Sequence, residues 1–363
     1  MDKKPSPGLF DIENPNVAEI PTIRPCPPCS DMSHYPRALD EYVCRRSDRK
    51  LNLSLLVTPQ HKHMRIVDYR LGQYKLKCNI FDEMAAREKL KKVYTLVEKQ
   101  DSNSWRTVGF SKEAIIPGYF RNADAYVMSR VYDQDGRPIT GGIAKLVHEK
   151  TIEFSEPEPV AKKPAGLKET FIDDPEAINA ILHLPEVTSL YHPFGKGVMH
   201  PHFILEVRIG RRNLWVAAEI NDAFGHAKLD ILTLPRSVKE RRYLSWMVTK
   251  LVEELGETSD ISSVFSITMV EDVACGQVLV DAGFKDSGQL TRHMQSEEGR
   301  LSDALMWFFR IAPKANKGRK MAFDPELPIL PLPAKKPLTD FDFDDDEEEV
   351  QEHHDEDEDD AED

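Results

Sequence analysis

Apolar residues change their spacing several times along this chain, and each change marks an expected element. From Leu51 onward, "LNLSLLVT", "HMRIVDYR" and "YKLKCNIF" alternate as strands do. "DEMAAREKLKK" places acids before bases, as the dipole of a short helix favours. "VYTLVEK" predicts a further strand, and "SNSWRTVGF" a second short helix that Ser102 can cap and Gly109 can stop. "SKEAIIPGYF" and "DAYVMSRVY" predict two strands about a Pro-Gly turn.

A second series begins near Phe171. "DPEAINAILHL" predicts a helix with Pro175 in its first turn. "HFILEVRIG", "NLWVAAEIN" and "AKLDILTLP" predict three strands, the first two joins short enough for hairpins. In "SVKERRYLSWMVTKLVEEL", Tyr243, Leu244, Met247, Val248, Leu251 and Leu255 share one helical face. "SSVFSITMV" predicts a strand, "EDVACGQVLVDAGF" a helix ended by Gly283, and "GQLTRHM" and "DALMWFFRI" the closing strands. The expected class is α/β: a mixed, mostly antiparallel sheet flanked by helices, preceded by a smaller α+β domain.

Outside these series the pattern fades. Residues 1–48, with "RPCPPCSD", carry no period and are expected to be weakly ordered. The expected domains are 49–143 and 171–313, joined by a Pro, Glu and Lys-rich linker over 144–170 and followed by a tail over 314–363. The formal charge of -14 belongs to that tail: 17 of the 62 acids lie between Asp340 and Asp363, where no Lys or Arg occurs. The rest holds 45 acids against 48 bases. Such an acidic block repels itself and is expected to stay disordered, which argues against a nucleic-acid partner and for a protein partner engaged through the tail. "RIGRRN" and "PKANKGRK" offer basic clusters for it to dock on. There is no apolar run of about eighteen residues and no basic-then-apolar leader, so no membrane contact and a cytoplasmic location are expected. Five cysteines without a pairing framework agree with a reducing compartment.

The strings "AEINDAFGHAKLDILTLP" and "FSITMVEDVACGQVLVDAGF" resemble the third to fifth strands and following helix of the GNAT superfamily of N-acetyltransferases. "KVYTLVEKQDSNSWRTVGFSKEAIIPGYFRNADAYVMSRVY" looks like the N-terminal domain of the β-lysine N6-acetyltransferases. The resemblance implies a site where strands four and five splay apart and acetyl-CoA presents its pyrophosphate to amides at the start of the next helix. The family places an Arg or Gln and two glycines there. In "TLPRSVKERRYLSWMVTKL" those places hold Val238, Lys239 and Arg241, so Cβ atoms stand where the backbone would meet phosphate. Leu234, Val238, Lys239, Arg241 and Arg242 are the candidate cofactor residues, with Lys and Arg offering side-chain charge instead of amides.

The resemblance also implies an Asn early in the next helix and a Tyr four residues before the Gly of "GF", which would protonate the leaving thiolate. Gly276 and Leu279 stand at those places, and leucine has no proton to give. Asp230, on the fourth strand, matches an acid of the β-lysine type and is the candidate base for the incoming ammonium; Glu219 is a second. Cys275 reads as a small buried hydrophobe, and Trp105, Tyr119 and Phe120 as core or inter-domain contacts. His200 and His202 would share a strand face, but with His192 they read as a loop at a substrate mouth rather than a metal pair. Cys26, Cys29, His34 and Cys44 have zinc-like composition without a second Cys-x-x-Cys, and no metal is expected. Two functions follow: acetyl transfer from acetyl-CoA to a small primary amine such as an amino acid, with an impaired cofactor loop, or a non-catalytic module of the same fold that acts through its surface and acidic tail.

Overall fold

The computed structural model describes residues 42–47, 51–69, 71–121, 123–139, 152–158, 163, 167–188, 191–195, 197–198, 200–258, 260–295 and 299–311. Cys26, Cys29, His34, the "PKANKGRK" cluster and the acidic tail lie outside them.

Three antiparallel strands open the first half: β1 (Tyr42–Ser47), β2 (Asn52–Thr58) and β3 (His63–Tyr69). Helix α1 (Tyr74–Glu88) crosses over to β4 (Lys92–Val97), which runs parallel to β3. After α2 (Lys99–Thr107), β5 (Ser111–Ile116) and β6 (Ala125–Val131) form a hairpin whose second strand inserts beside β4, giving the order β1-β2-β3-β4-β6-β5. Three expectations change. "YKLKCNIF" is the first half of α1 and not a strand: its apolar residues alternate, but Lys77, Cys78, Phe81, Met84 and Ala85 are buried at helical spacing. Lys77 hides the helical period because a charged residue holds an inward position, its ammonium donating to the Gly72 carbonyl at 2.7 Å. Strand β1 extends the sheet into the stretch expected to be weakly ordered. Ser102 lies inside α2, where its hydroxyl donates back to the Lys99 carbonyl, while Glu98 takes the cap position.

The second half begins with an edge strand, β7 (Glu169–Ile172), and α3 (Pro175–Leu182), capped by the Asp174 carboxylate accepting from the Ala177 amide. A two-residue pair, β8 (Tyr191–His192) and β9 (Gly197–Val198), precedes the main sheet. Its strands are β10 (Phe203–Ile209), β11 (Arg212–Asn221), β12 (His226–Ile231), then α4 (Val238–Thr258), β13 (Ser263–Met269), α5 (Val273–Asp281), β14 (Lys285–Gln295) and β15 (Leu301–Arg310). The order is β14-β15-β13-β12-β11-β10-β7, with β12 and β13 the parallel pair. Helices α4 and α5 cover one face through a core that includes Leu229, Val264, Leu251 and Leu279; α3 packs against Trp215 and Ala217 on the other. This is the expected mixed α/β sheet flanked by helices.

From β10 onward the second half repeats the first. Each half is a three-stranded meander, a crossover helix, a parallel strand, a shorter helix, and a hairpin whose last strand inserts next to the parallel strand. Gly109-Phe110 follows α2 as Gly283-Phe284 follows α5, and both glycines have φ 86°. Between the second and fourth residues past each glycine-phenylalanine pair the register of the hairpin shifts, from Lys112 to Ala114 and from Asp286 to Gly288. These equivalent positions meet: a Cβ built on Gly288 would lie 2.9 Å from the Ala114 Cα and 2.0 Å from the Glu113 carbonyl oxygen. Contact between like positions is how an isologous interface is made. Beside it, the fully buried Lys92 and Glu113 side chains pair at 2.6 Å; Lys92 donates to the Thr291 carbonyl, and Glu113 accepts from the Thr291 amide. A buried ion pair needs further hydrogen bonds to offset its desolvation, and Thr291 supplies one to each partner.

Candidate functional site

The parallel strands β12 and β13 pair over only three positions, His226 to Lys228 with Ser263 to Phe265, and then part. Because α4 follows β12 and α5 follows β13, the first turns of both helices lie at the mouth of this opening. The splay that the resemblance implies is therefore present.

The start of α4 is capped from within. The Glu240 amide donates to the Ser237 hydroxyl, and the Glu240 carboxylate accepts from the Arg236 amide and pairs with Arg212. Burial pushes the Glu240 carboxyl up, but the Arg236 amide and Arg212 outweigh it and hold it below its ordinary value. A carboxylate thus already sits where a phosphate would be drawn. Arg212 also donates to the Leu234 carbonyl, so this member of the basic "RIGRRN" cluster is committed to the helix corner. Of the candidate cofactor residues, Leu234 and Val238 are exposed, and the Lys239 ammonium lies over the Tyr243 ring at 5.7 Å. Arg241 and Arg242 face the opening, but they are occupied too.

Their occupant is the chain itself. Residues 152–158 run along α5, from Gly276 in its first turn to Asp281 at its last residue, and reach the first turn of α4. The Phe154 ring packs edge-on against Trp307, 5.2 Å between centroids, and lies over Gly276 so closely that a Cβ there would stand 2.5 Å from it. The Ser155 amide donates to the Gln277 side-chain oxygen at 2.8 Å, and the Gln277 side-chain nitrogen donates to the Ser155 carbonyl at 3.2 Å. The Glu158 amide donates to Asp281, and the Glu158 carboxylate takes Arg242 at 2.8 Å and Arg241 at 3.5 Å. The hydrogen bond from Arg242 holds the Glu158 carboxyl below its ordinary value. Leu279 is fully buried in the helix-side core, and Cys275 is buried with its thiol pushed up to about 12 by desolvation.

Asp230 and Glu219 lie on the opposite face of the sheet. Leu229 and Ile231 point to the α4 core, so strand alternation sends His226, Lys228 and Asp230 the other way. Asp230 pairs with Lys228, both side chains nearly inaccessible, and burial pushes its carboxyl up against the downward pull of that ammonium. Lys228 is opposite Glu219 in register, and Glu219 accepts from the His200 amide at 2.7 Å. The two acids and Lys228 thus share one patch. Lys228 escaped sequence reasoning because a lysine in a strand reads as a solvent-facing residue.

The first half covers this patch. The turn His192-Pro193-Phe194 is pinned by the Tyr94 hydroxyl and Arg65, both donating to the Pro193 carbonyl, at 2.8 and 3.1 Å. Its Phe194 ring meets Tyr94, Phe265 and His293. His226 stacks on Tyr119 at 4.0 Å and bonds its carbonyl. His192 is buried, and desolvation, then Lys228 and Arg65, hold its imidazole well below the ordinary value. His202, expected to share a face with His200, accepts from the Ile220 amide. Among the described residues no group of three or more His, Cys, Asp or Glu is placed to hold a metal, and no helix is long and apolar enough to cross a membrane.

No family model matches the chain, and no curated protein matches it. Among solved structures, the ribosomal-protein-S18-alanine N-acetyltransferase from Escherichia coli aligns over 42% of this chain and 99% of its own, at 12% identity and TM-score 0.32. A mutant of the spermidine N-acetyltransferase SpeG from Vibrio cholerae aligns over 37% and 72%, at 16% and 0.27. The microcin C7 self-immunity acetyltransferase MccE, in complex with acetyl-CoA and AMP, aligns over 30% and 60%, at 19% and 0.26. All three alignments are below a quarter identity, and the description of the second half rests on its own strand order and parted parallel pair.

Proposed function

We propose that the second half is a GNAT-type N-acyltransferase site that takes acetyl-CoA and a small primary amine. The observation that supports this reading is the parted β12/β13 pair, with paired cations on one side and a buried carboxylate on the other. The residues present fit a pantetheine-phosphate carrier through side chains: Gly276 leaves room beside Trp307, Gln277 offers an amide that both donates to and accepts from backbone groups, and Arg241 and Arg242 offer charge. When bound, acetyl-CoA supplies the activated acyl group.

The remaining chemistry falls to the chain. Asp230 accepts a proton from the incoming ammonium, a role that the raised affinity of a buried carboxyl for protons suits. Lys228 positions it, and Glu219 lends negative charge at the rim to attract a cation. The His192-Pro193-Phe194 turn excludes water from the patch. The thiolate is left to solvent for protonation, because Leu279 stands where a donor would be.

Asp230→Asn is expected to lower amine acetylation by roughly 100-fold or more while leaving CoA affinity unchanged. Turnover at the original rate in a protein of unchanged melting temperature would remove Asp230 from this role. Leu279 and the filled groove favour a second reading, a non-catalytic module that engages a partner through its surface and acidic tail. That reading predicts no heat when CoA is titrated at millimolar concentration.

A further inference from the structure

Residues 152–158 hold the groove between α4 and α5 by contacts of three kinds, each suited to a different part of one elongated ligand. At one end an aromatic ring enters the helix-side core against Trp307. In the middle the Gln277 amide holds both the N–H and the C=O of Ser155, one from each of two successive peptide groups. At the other end a carboxylate meets two arginines. An apolar head, an amide and an anion, in that order, also describe an acyl thioester with its pantetheine amides and phosphates.

We infer that residues 152–158 are an autoinhibitory strap, a segment of the chain that fills the acyl-carrier groove in the carrier's own manner and must leave before the carrier binds. The inference rests on the acyltransferase reading above. Gly276 is its clearest mark. Any side chain at that place, the asparagine of the GNAT pattern included, would collide with the Phe154 ring, so the helix is cut to fit the strap. The cations are matched as well: Glu158 supplies to Arg242, and to Arg241 beside its buried partner Asp281, the negative charge that a phosphate would otherwise bring.

The strap is also built to come away. It adds no strand to the sheet and crosses the groove once. Ser155, Glu156 and Pro157 are exposed. The Glu158 side chain is 42% exposed and that of Arg242 60%, so salt screens their pairing. A ligand carrying several phosphate charges competes for the same arginines with more charge than one carboxylate.

The test compares the full-length protein with Glu158→Ala, a truncation at a half-exposed position, and with Phe154→Ala/Glu158→Ala, each checked for an unchanged fold by circular dichroism. Coenzyme A is titrated into each by calorimetry, and hydrogen exchange at the Ser155 and Glu158 amides is followed by mass spectrometry with and without it. With the strap closed in nine molecules of ten, the apparent affinity is lowered about tenfold. The expected result is therefore binding at least about tenfold tighter in the double variant, an intermediate gain in Glu158→Ala, and faster exchange at both amides when the natural chain is saturated. Equal affinities, with both amides still protected at saturation, would overturn the strap and leave the acyltransferase reading standing. Absence of heat in all three proteins would overturn that reading, and the strap as a gate with it.

Discussion

The two halves share one order of strands and helices and differ in what fills the opening between their parallel strands. In the first half the filler belongs to the core. Trp105, four residues before Gly109 on α2, is fully buried; it stacks on Phe81 and meets Tyr69 at the end of β3 and Tyr74 at the start of α1 edge-on. Lys77 seals the corner beneath those two tyrosines, its ammonium brought down to about 8 by burial. In the second half Leu279, four residues before Gly283, occupies the same place, and Gly276 contributes no side chain at all. The smaller pair leaves room that Phe154 takes from outside. One topology therefore carries a closed opening and one that can be emptied, and the choice lies in a few side-chain volumes.

This contrast can be broken most sharply by deletion of each filler. Trp105→Ala is expected to destabilise the fold by about 3–5 kcal/mol, because a cavity opens inside a closed aromatic cluster. Phe154→Ala should cost only about 1 kcal/mol, since its half-buried ring leaves with the strap. Chemical denaturation measures both, and equal losses would erase the distinction.

Acid and salt should then act on different parts. His61, His63, His192, His226 and His293 are buried and neutral, with His61 and His226 lowered to about 4 by desolvation. Their contribution is present above the unfolded value of about 6.5 and is lost as pH falls toward 4, by up to about 1.4 kcal/mol per histidine per pH unit. His63 and His293 stack at 5.4 Å across the junction of the halves, so the melting temperature should fall between pH 7 and 5. Glu158, held below its ordinary value by Arg242, keeps its charge in that window. Added salt should do the reverse, speeding exchange at the strap amides with little effect on the buried Lys92 and Glu113 pair.

Much of the second half was legible from periodicity. The six apolar residues on one face of α4, the β-branched run of β13, and the hairpins of β10 to β12 each follow one dominant pattern. The first half was less so, because buried Lys77 broke the helical period of α1 and let an alternating set of apolar residues pass for a strand. The internal repeat escaped notice because the halves share little beyond a Gly-Phe after the second helix. At the candidate site, the resemblance pointed to Asp230 and Glu219, but nothing in the sequence singled out the Lys228 that pairs with Asp230. The strap was invisible for a plainer reason. "EFSEPEP" has the composition of a linker, and its partners lie 84 and 122 residues further on, in Arg242 and Gln277.

Native-state hydrogen exchange in low denaturant tests the central contrast most directly. The Phe110 amide, bonded to the Trp105 carbonyl at 3.1 Å, reports on the first opening; the Ser155 and Glu158 amides report on the second. If one opening is core and the other is strapped, Phe110 should exchange only through global unfolding, at a rate that rises with denaturant. Ser155 and Glu158 should exchange far faster, through a local opening that denaturant hardly changes. Exchange of all three amides at one denaturant-dependent rate would contradict the account, for the strap would then be as much a part of the folded core as Trp105.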